Sequence, residues 1–385
     1  MNSERIYLDN AATTALRPEV ADAMGAVLST SGFNPSSLHA EGRRARAVLD
    51  EARDRIAALL GAKRTEIIFT ASGTEADNQA LFGVAHAAPR PAHLIVSAIE
   101  HHAVLAAAER LRAEGIDVTV LPVGSDGCVD PATLADALQP HTVLVSIMYA
   151  NNEIGTVQPI TKLARVAHDR GILFHTDAVQ APSWLPVDAR ELGADLLSLS
   201  AHKFGGPKGV GLLYARSGVA LVPIVHGGGQ EFGRRSGTEN VAGAVGMACA
   251  LELAAAERAE SSRRVAGLRD RLEAGIRSVI ADVRVNGADA PRLANNLNVS
   301  FAGIESAALL IGLDLSGVAV SAGSACTSGV LEPSHVLAAM ALEPHWQTGA
   351  IRFSLGMATT SAEVDRVLAV LPGLVSELRA PAPAA

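Results

Sequence analysis

Of the 32 basic residues in this sequence, 28 are Arg and four are Lys, at positions 63, 162, 203 and 208. A chain that places Arg wherever it needs positive charge keeps a lysine where a guanidinium cannot serve. Arg stays charged and forms no imine, whereas a desolvated Lys can lose its proton and attack a carbonyl. Lys203 has a setting for this. The apolar run Leu196 to Leu199 predicts a short buried strand. It leads into His202-Lys203 and then Phe204-Gly205-Gly206-Pro207-Lys208-Gly209, too rich in glycine and proline for a helix. A strand that delivers lysine into a tight loop fixes an amine in a pocket. A loop lysine that binds phosphate or caps the strand end is the alternative reading.

Other stretches carry polar groups to strand ends. Glu66 to Asn78 reads as strand, glycine turn and helix start. Backbone N–H groups there suit a phosphate, and Thr74 adds a hydroxyl; a capped helix after a strand is the plainer reading. Asp177, after Ile172-Leu173-Phe174-His175-Thr176, falls at the C-terminal end of a predicted parallel strand, where α/β proteins form ligand sites. It could hold a ring nitrogen protonated or cap the next helix. Glu100-His101-His102 follows the strand 93–97, and an imidazole there can stack on a planar ligand or move protons. The adjacent histidines lack further ligands at metal-binding spacing. Asn151-Asn152 fits a ligand loop or a polar turn. Arg234-Arg235-Ser236-Gly237-Thr238 precedes a helix, with Thr238 as its expected N-cap. Arg352 lies inside an apolar strand and should have an anionic partner. Cys326, among the small residues Ser321 to Gly329, is the accessible thiol, whereas Cys249 reads as helix core and Cys128 as a turn thiol.

The elements that position these residues follow an alternating grammar. Strands are expected near 66–70, 93–97, 116–121, 142–148, 172–176, 195–200 and 210–214. Helices are expected near 74–86, 102–114, 131–138 and 159–170. This is α/β order, with a mostly parallel seven-stranded sheet covered on both faces. Residues 239–280 read as helix, and the remainder as a smaller α+β unit. The expected division is 13–256 as a large domain, 1–12 with 257–378 as a small one, and 379–385 as a disordered tail.

With 385 residues, 49% apolar, 19% charged and a net charge of −8, the chain reads as globular, with neither nucleic acid nor a membrane as partner. No signal peptide is visible, and no apolar run reaches the ~18 residues of a membrane span. Three cysteines without disulfide spacing fit a reducing cytoplasm.

One strand-end lysine, a phosphate turn, a strand-end Asp and a strand-end His together suggest pyridoxal 5'-phosphate. The chain resembles the cysteine desulfurases, in the class-V aminotransferase family of fold-type-I pyridoxal-phosphate enzymes. The resemblance runs from Tyr7-Leu8-Asp9-Asn10-Ala11-Ala12-Thr13-Thr14 to Ile351-Arg352-Phe353-Ser354-Leu355-Gly356. It is carried most specifically by Ser324-Ala325-Cys326-Thr327-Ser328, Asn151-Asn152-Glu153-Ile154-Gly155, Arg235-Ser236-Gly237-Thr238, and His202-Lys203 with Gly206-Pro207-Lys208-Gly209. It implies that Lys203 holds the cofactor as an imine and, once freed, acts as the base. Gly73, Thr74, Ser200 and His202 would bind the phosphate, with Thr238 reaching across from a second subunit of a homodimer. Asp177 would pair with the pyridine nitrogen and Gln180 with the ring hydroxyl, while His101 stacks on the ring. Asn152 and Arg352 would hold the carboxylate of L-cysteine. Cys326 would take the sulfur as a persulfide and pass it to an acceptor protein, leaving alanine. Iron–sulfur cluster assembly, thionucleosides, thiocofactors and DNA sulfur modification are all open as destinations. A selenocysteine lyase or an aminotransferase on the same scaffold, and a weakly catalytic docking protein, are the competing expectations.

Overall fold

The structure is a computed structural model that describes residues 5–322 and 334–380. Among the described residues there are twelve strands: β1 Ile6–Tyr7, β2 Ile67–Thr70, β3 His93–Ser97, β4 Asp117–Leu121, β5 Thr142–Ser146, β6 Leu173–Asp177, β7 Leu196–Ser200, β8 Gly211–Ala215, β9 Val283–Asn286, β10 Asn296–Phe301, β11 Val318–Ala319 and β12 Ala350–Ser354. β2 to β8 form one seven-stranded sheet in the order β2-β8-β7-β6-β5-β3-β4. Pairing is parallel from β4 across to β7, and β8 runs antiparallel between β7 and β2. The expected α/β class and mostly parallel seven-stranded sheet are what the chain builds.

Burial on both faces explains why these strands read as apolar runs rather than alternations. β2, β3, β7 and β8 are buried at every position. Val145, Ile147, Phe174, Leu197 and Leu199 share a core with the helices Pro18–Thr30 and Ala40–Leu59. Leu94, Val96, Leu144, Leu196 and Leu213 enter the core on the opposite face, with the helices Gly73–Ala87 and His102–Ala113.

A separate core gathers the antiparallel sheet β12-β10-β9, the parallel pair β1-β11, and the helices Ser306–Leu315 and Ser361–Arg379. The 39-residue helix Val241–Val279 runs through both. Its residues up to Ala254 pack in the first core, and Val265, Leu272 and Ile276 pack in the second. The expected division near residue 256 therefore falls inside an unbroken helix. Among the described residues, no helix is long and apolar enough to cross a membrane.

Three local details differ from the sequence-based expectation. Thr238 does not cap this long helix; Asn240 does, its side chain accepting the Gly243 N–H at 2.9 Å. The last helix extends to Arg379, whose guanidinium donates at 2.9 Å to the carbonyls of Ala302 and Ala281. The expected tail is thus ordered at its first residue, and 381–385 lie outside the described residues. The short helices Ala189–Leu192 and Pro344–Gln347 were not expected, because four residues give no periodicity to read.

Arg53, on the helix Ala40–Leu59, is 1% exposed. It donates to both carboxylate oxygens of Glu231, at 2.6 and 2.8 Å, and to Ile67 O at 2.7 Å. Its guanidinium lies 4.8 Å from the Phe69 ring centre and 5.1 Å from that of Phe232. Glu231 also accepts the Phe69 N–H at 2.9 Å, so the pair ties helix, sheet and the 231–233 turn together. Removing one partner leaves a buried uncompensated charge. Arg53→Ala is expected to destabilise the fold by about 3–5 kcal/mol, measured by chemical denaturation.

Candidate active site

The C-terminal ends of β5, β6 and β7 open into one cavity of about 210 Å³. This is the edge where parallel sheets form ligand sites. At one wall stands the N-terminus of the helix Gly73–Ala87. Ser72 caps it, its Oγ accepting the Glu75 N–H at 3.1 Å, while Gly73 and Thr74 begin the first turn with N–H groups that have no partner inside the helix. A Cβ at Gly73 would stand 2.9 Å from Val179 Cγ2 and 3.3 Å from Ser200 Cβ, so glycine keeps this wall open. Ser200 and His202 line the same cavity.

Lys203 is placed by a turn with little freedom. Ala201–Lys203 forms a single 3₁₀ turn, closed by Ala201 N to Val210 O at 3.0 Å and Gly206 N to Ala201 O at 2.9 Å. Gly205 holds φ at +83°, which favours glycine. The N-terminal segment straps this turn from outside: Thr14 N and Thr14 Oγ1 both donate to His202 O, at 2.9 and 2.8 Å. Lys203 Nζ donates to Ala11 O at 2.6 Å and Ala12 O at 2.8 Å. Burial, and then the nearby Arg352 guanidinium, bring its pKa down to about 8. About a tenth of the amine is therefore neutral at pH 7, far more than for a solvent-exposed lysine, as imine chemistry requires.

Asp177 ends β6 on the cavity wall. It accepts the Val179 N–H at 2.9 Å, while burial pushes its carboxyl up to about 6. Gln180 lines the cavity and donates to Ala11 O at 2.9 Å. His101 caps the helix His102–Ala113, its Nδ1 accepting the Ala103 N–H at 3.1 Å, which assigns the proton of the neutral ring to Nε2. The surrounding protein, followed by Lys203, pushes its pKa down to about 4, so the ring facing the cavity is uncharged. Asn152 also lines the cavity. Arg352 stands behind it, donating to Asn152 O at 2.9 Å and to Asp9 Oδ1 at 2.7 Å. Its expected anionic partner is thus Asp9, and its Nε is buried without a hydrogen bond.

Eleven of the expected site residues are placed by the structure, and ten of them, all except Thr238, fall in or against this cavity: Lys203, Gly73, Thr74, Ser200, His202, Asp177, Gln180, His101, Asn152 and, one contact back, Arg352. Thr238 is exposed and lines a different cavity beside Arg235, whose Nε pairs with Glu75 at 2.8 Å. Cys326 lies outside the described residues. Sequence reading passed over Asp77 and His175. Both had a signal: Asp77 is four residues after Gly73 on one helix face, and His175 is two before Asp177 on one strand face.

Comparison with known proteins extends the geometry. Residues 6–367 match the model of the family described as Aminotransferase class-V. The chain belongs to that family. It is 50% identical over 379 residues to the cysteine desulfurase IscS of Dictyoglomus turgidum, covering 98% of this chain and 96% of that one. Among solved structures it resembles a NifS-like protein, with a TM-score of 0.91 and 38% identity over 97% of this chain and 100% of the other. It also resembles SspA in complex with cysteine, with a TM-score of 0.81 and 35% identity over 92% and 100%. With the family comes its cofactor: this is a pyridoxal-phosphate-dependent enzyme. The cavity fits it, offering a helix N-terminus held open at Gly73, a carboxylate at Asp177 and a poorly solvated amine at Lys203.

The lowered Lys203 pKa sets a pH profile. Below about 8 the free amine falls about tenfold per pH unit. The rate at which apoprotein takes up pyridoxal phosphate, followed by absorbance, should rise with pH to about 8 and flatten above it. Lys203→Arg should abolish the uptake, and Lys208→Arg should leave its profile in place.

Proposed function

We propose that the protein is a cysteine desulfurase that converts L-cysteine to L-alanine and keeps the sulfur as a persulfide on Cys326. The observation that carries this reading is the meeting of Lys203, Asp177 and the Gly73 helix terminus in one cavity, in a chain half identical to a cysteine desulfurase. When bound, pyridoxal phosphate supplies an electron sink for the substrate's α-carbon. The residues of this chain do the rest.

Gly73, Thr74, Ser200 and His202 bind the phosphate, through N–H groups and hydroxyls that carry no charge of their own. Asp177 orients the ring and holds a proton at its nitrogen. Gln180 takes the ring hydroxyl, and the neutral His101 imidazole covers the ring face. Lys203 anchors the cofactor, then moves the α-proton; a positioned base of this kind is worth ~10²–10⁴ in rate. Asn152 and Arg352 receive the substrate carboxylate. For Arg352 this is an exchange, since its Nη2 donates to Asp9 at 2.7 Å. The Cys326 thiolate then forms an S–S bond to the substrate sulfur as the C–S bond breaks. The C–S electron pair leaves with carbon, which takes a proton to become the methyl of alanine. Atoms and charge balance without an added oxidant.

The exposed Thr238 supports a homodimer in which this hydroxyl serves the phosphate of the other subunit. Free thiols at Cys128 and Cys249 support a reducing compartment, the cytoplasm. The persulfide then goes to an acceptor protein.

Cys326→Ala should retain the bound-cofactor absorbance while alanine and sulfide production from cysteine, with reductant present, falls to background. Normal turnover in that variant would remove Cys326 from the mechanism. Arg352→Gln, which takes away charged hydrogen bonds worth roughly 1.5–3 kcal/mol, should raise KM for cysteine about tenfold or more. It should leave KM for cysteamine, which lacks the carboxylate, unchanged.

A further inference from the structure

Beneath the cavity lies a second carboxyl that none of the roles above uses. Asp77 stands one turn into the helix Gly73–Ala87, 1% exposed, and lines the cavity together with Asp177. We propose that Asp77 stands there as a neutral carboxylic acid, so that the Asp77–Asp177 pair carries one negative charge and Asp177 holds it.

The distribution of donors makes the assignment. Asp177 accepts a backbone N–H from Val179 at 2.9 Å and lies in the field of Lys203. Among the described residues, no hydrogen-bond donor reaches Asp77 Oδ1. Its other contact is the Ser198 hydroxyl, which can accept a carboxyl proton as readily as it donates one. The nearest group that could carry a positive charge is His175, whose Nε2 is 3.7 Å from Asp77 Oδ1. That ring is fully buried, and both nitrogens already face hydroxyls, Ser146 Oγ at 2.8 Å and Ser198 Oγ at 3.0 Å. Burial holds the His175 imidazole down to about 3, hence neutral. Glu100, 0% exposed, faces the same cluster from the end of β3 and adds only a further acid; its Oε1 accepts from Ser97 Oγ and from Met148 N, at 2.5 and 2.8 Å. Among the described residues, no cation offsets a charge on Asp77. Two buried carboxyls that feel each other's charge do not both ionise, and the one with the backbone donor keeps the charge. Burial first, then Asp177, push the Asp77 carboxyl well above its ordinary range, in agreement.

Asp77 is on this view a positioning residue. As a neutral acid it bonds the Ser198–His175–Ser146 row on β7, β6 and β5 while leaving Asp177 as the only anion that a ring nitrogen meets. That consequence rests on the cofactor reading above; the charge state itself does not.

The test is infrared spectroscopy of holoenzyme at pH 7, with carbon-13 in the aspartate side-chain carboxyls. A protonated aspartate gives a carbonyl stretch sensitive both to D2O and to the label, whereas a protonated Glu100 responds to D2O alone. Wild type should show one aspartate band, and Asp77→Asn should lose it. In Asp77→Asn the pH midpoint of the bound-cofactor absorbance should stay in place, because removing an ionised neighbour would shift it by about 1–3 units. Asp77→Ser, which keeps a hydroxyl donor, carries the same expectations should the first variant fail to fold. Absence of the band in wild type, its survival in either variant, or a midpoint moved by that amount would overturn the proposal. Apoprotein that shows the band yet takes up no added pyridoxal phosphate would sink the cofactor reading alone.

Discussion

Lys203 Nζ rests between two backbone carbonyls, 2.6 Å from Ala11 O and 2.8 Å from Ala12 O, in a pocket whose burial costs the ammonium form more than the amine. A neutral amine has two N–H bonds to give, and two acceptors take them. Such an arrangement keeps the amine aimed without a carboxylate salt bridge that would hold it charged. It works only if the carbonyls stay where they are. The strap from Asp9 to Arg17 does this. Thr14 bonds His202 O, and its Oγ1 accepts the Gly205 N–H at 2.8 Å; Arg17 N reaches Gly205 O at 3.0 Å. Segments nearly 200 residues apart thus define one amine.

The same dryness governs the acids. A parallel sheet buried on both faces leaves only its C-terminal edge for polar side chains, and the ends of β5, β6 and β7 crowd theirs into one layer. Ser146, His175 and Ser198 are each 0% exposed, and they bond one another side by side across the sheet. Charge in such a layer is expensive unless a backbone donor or an opposite charge accompanies it. His175 gives up its own there, and Lys203 is drawn toward giving up its charge. Asp177, with the Val179 N–H beside it, can keep its charge. Low dielectric and uneven donor supply thus turn chemically similar groups into distinct tools.

Much of this was legible in the sequence because it is local. Buried strands of four or five residues, glycine turns and helix starts write themselves as short patterns, so β2 to β8 and their helices were readable within a residue or two. Lys203, Asp177 and His101 stood out because chemistry-bearing residues at strand ends are conspicuous against apolar runs. What could not be read was pairing across the chain. Arg53 and Glu231 are 178 residues apart, and Arg352 meets Asp9 over 343. Neither pair has any local spacing. Thr238 was misjudged for the opposite reason: it is a good N-cap by type, but the chain continues to Asn240 before the helix turns. Asp77 was missed because a helix interior read by its apolar face hides a single polar position.

The Arg352–Asp9 contact shows how the two cores depend on each other at the cavity. Arg352 lies on β12, whose Ile351 and Phe353 pack in the second core, yet it donates to the carbonyl of Asn152, a residue that lines the cavity of the first. Asp9 belongs to the strap that carries Ala11 and Ala12 to Lys203. Asn10 Nδ2 bonds Ser354 O on β12 at 2.9 Å, and Ser354 N bonds Leu8 O at 2.7 Å. The strap therefore joins β12 to the lysine turn. Any carboxylate that draws the Arg352 guanidinium from Asp9 acts on the segment that also supplies both acceptors for Lys203 Nζ. Recognition of an anionic substrate group and the setting of the amine are in this way coupled through one short stretch of backbone, without direct contact between the two side chains.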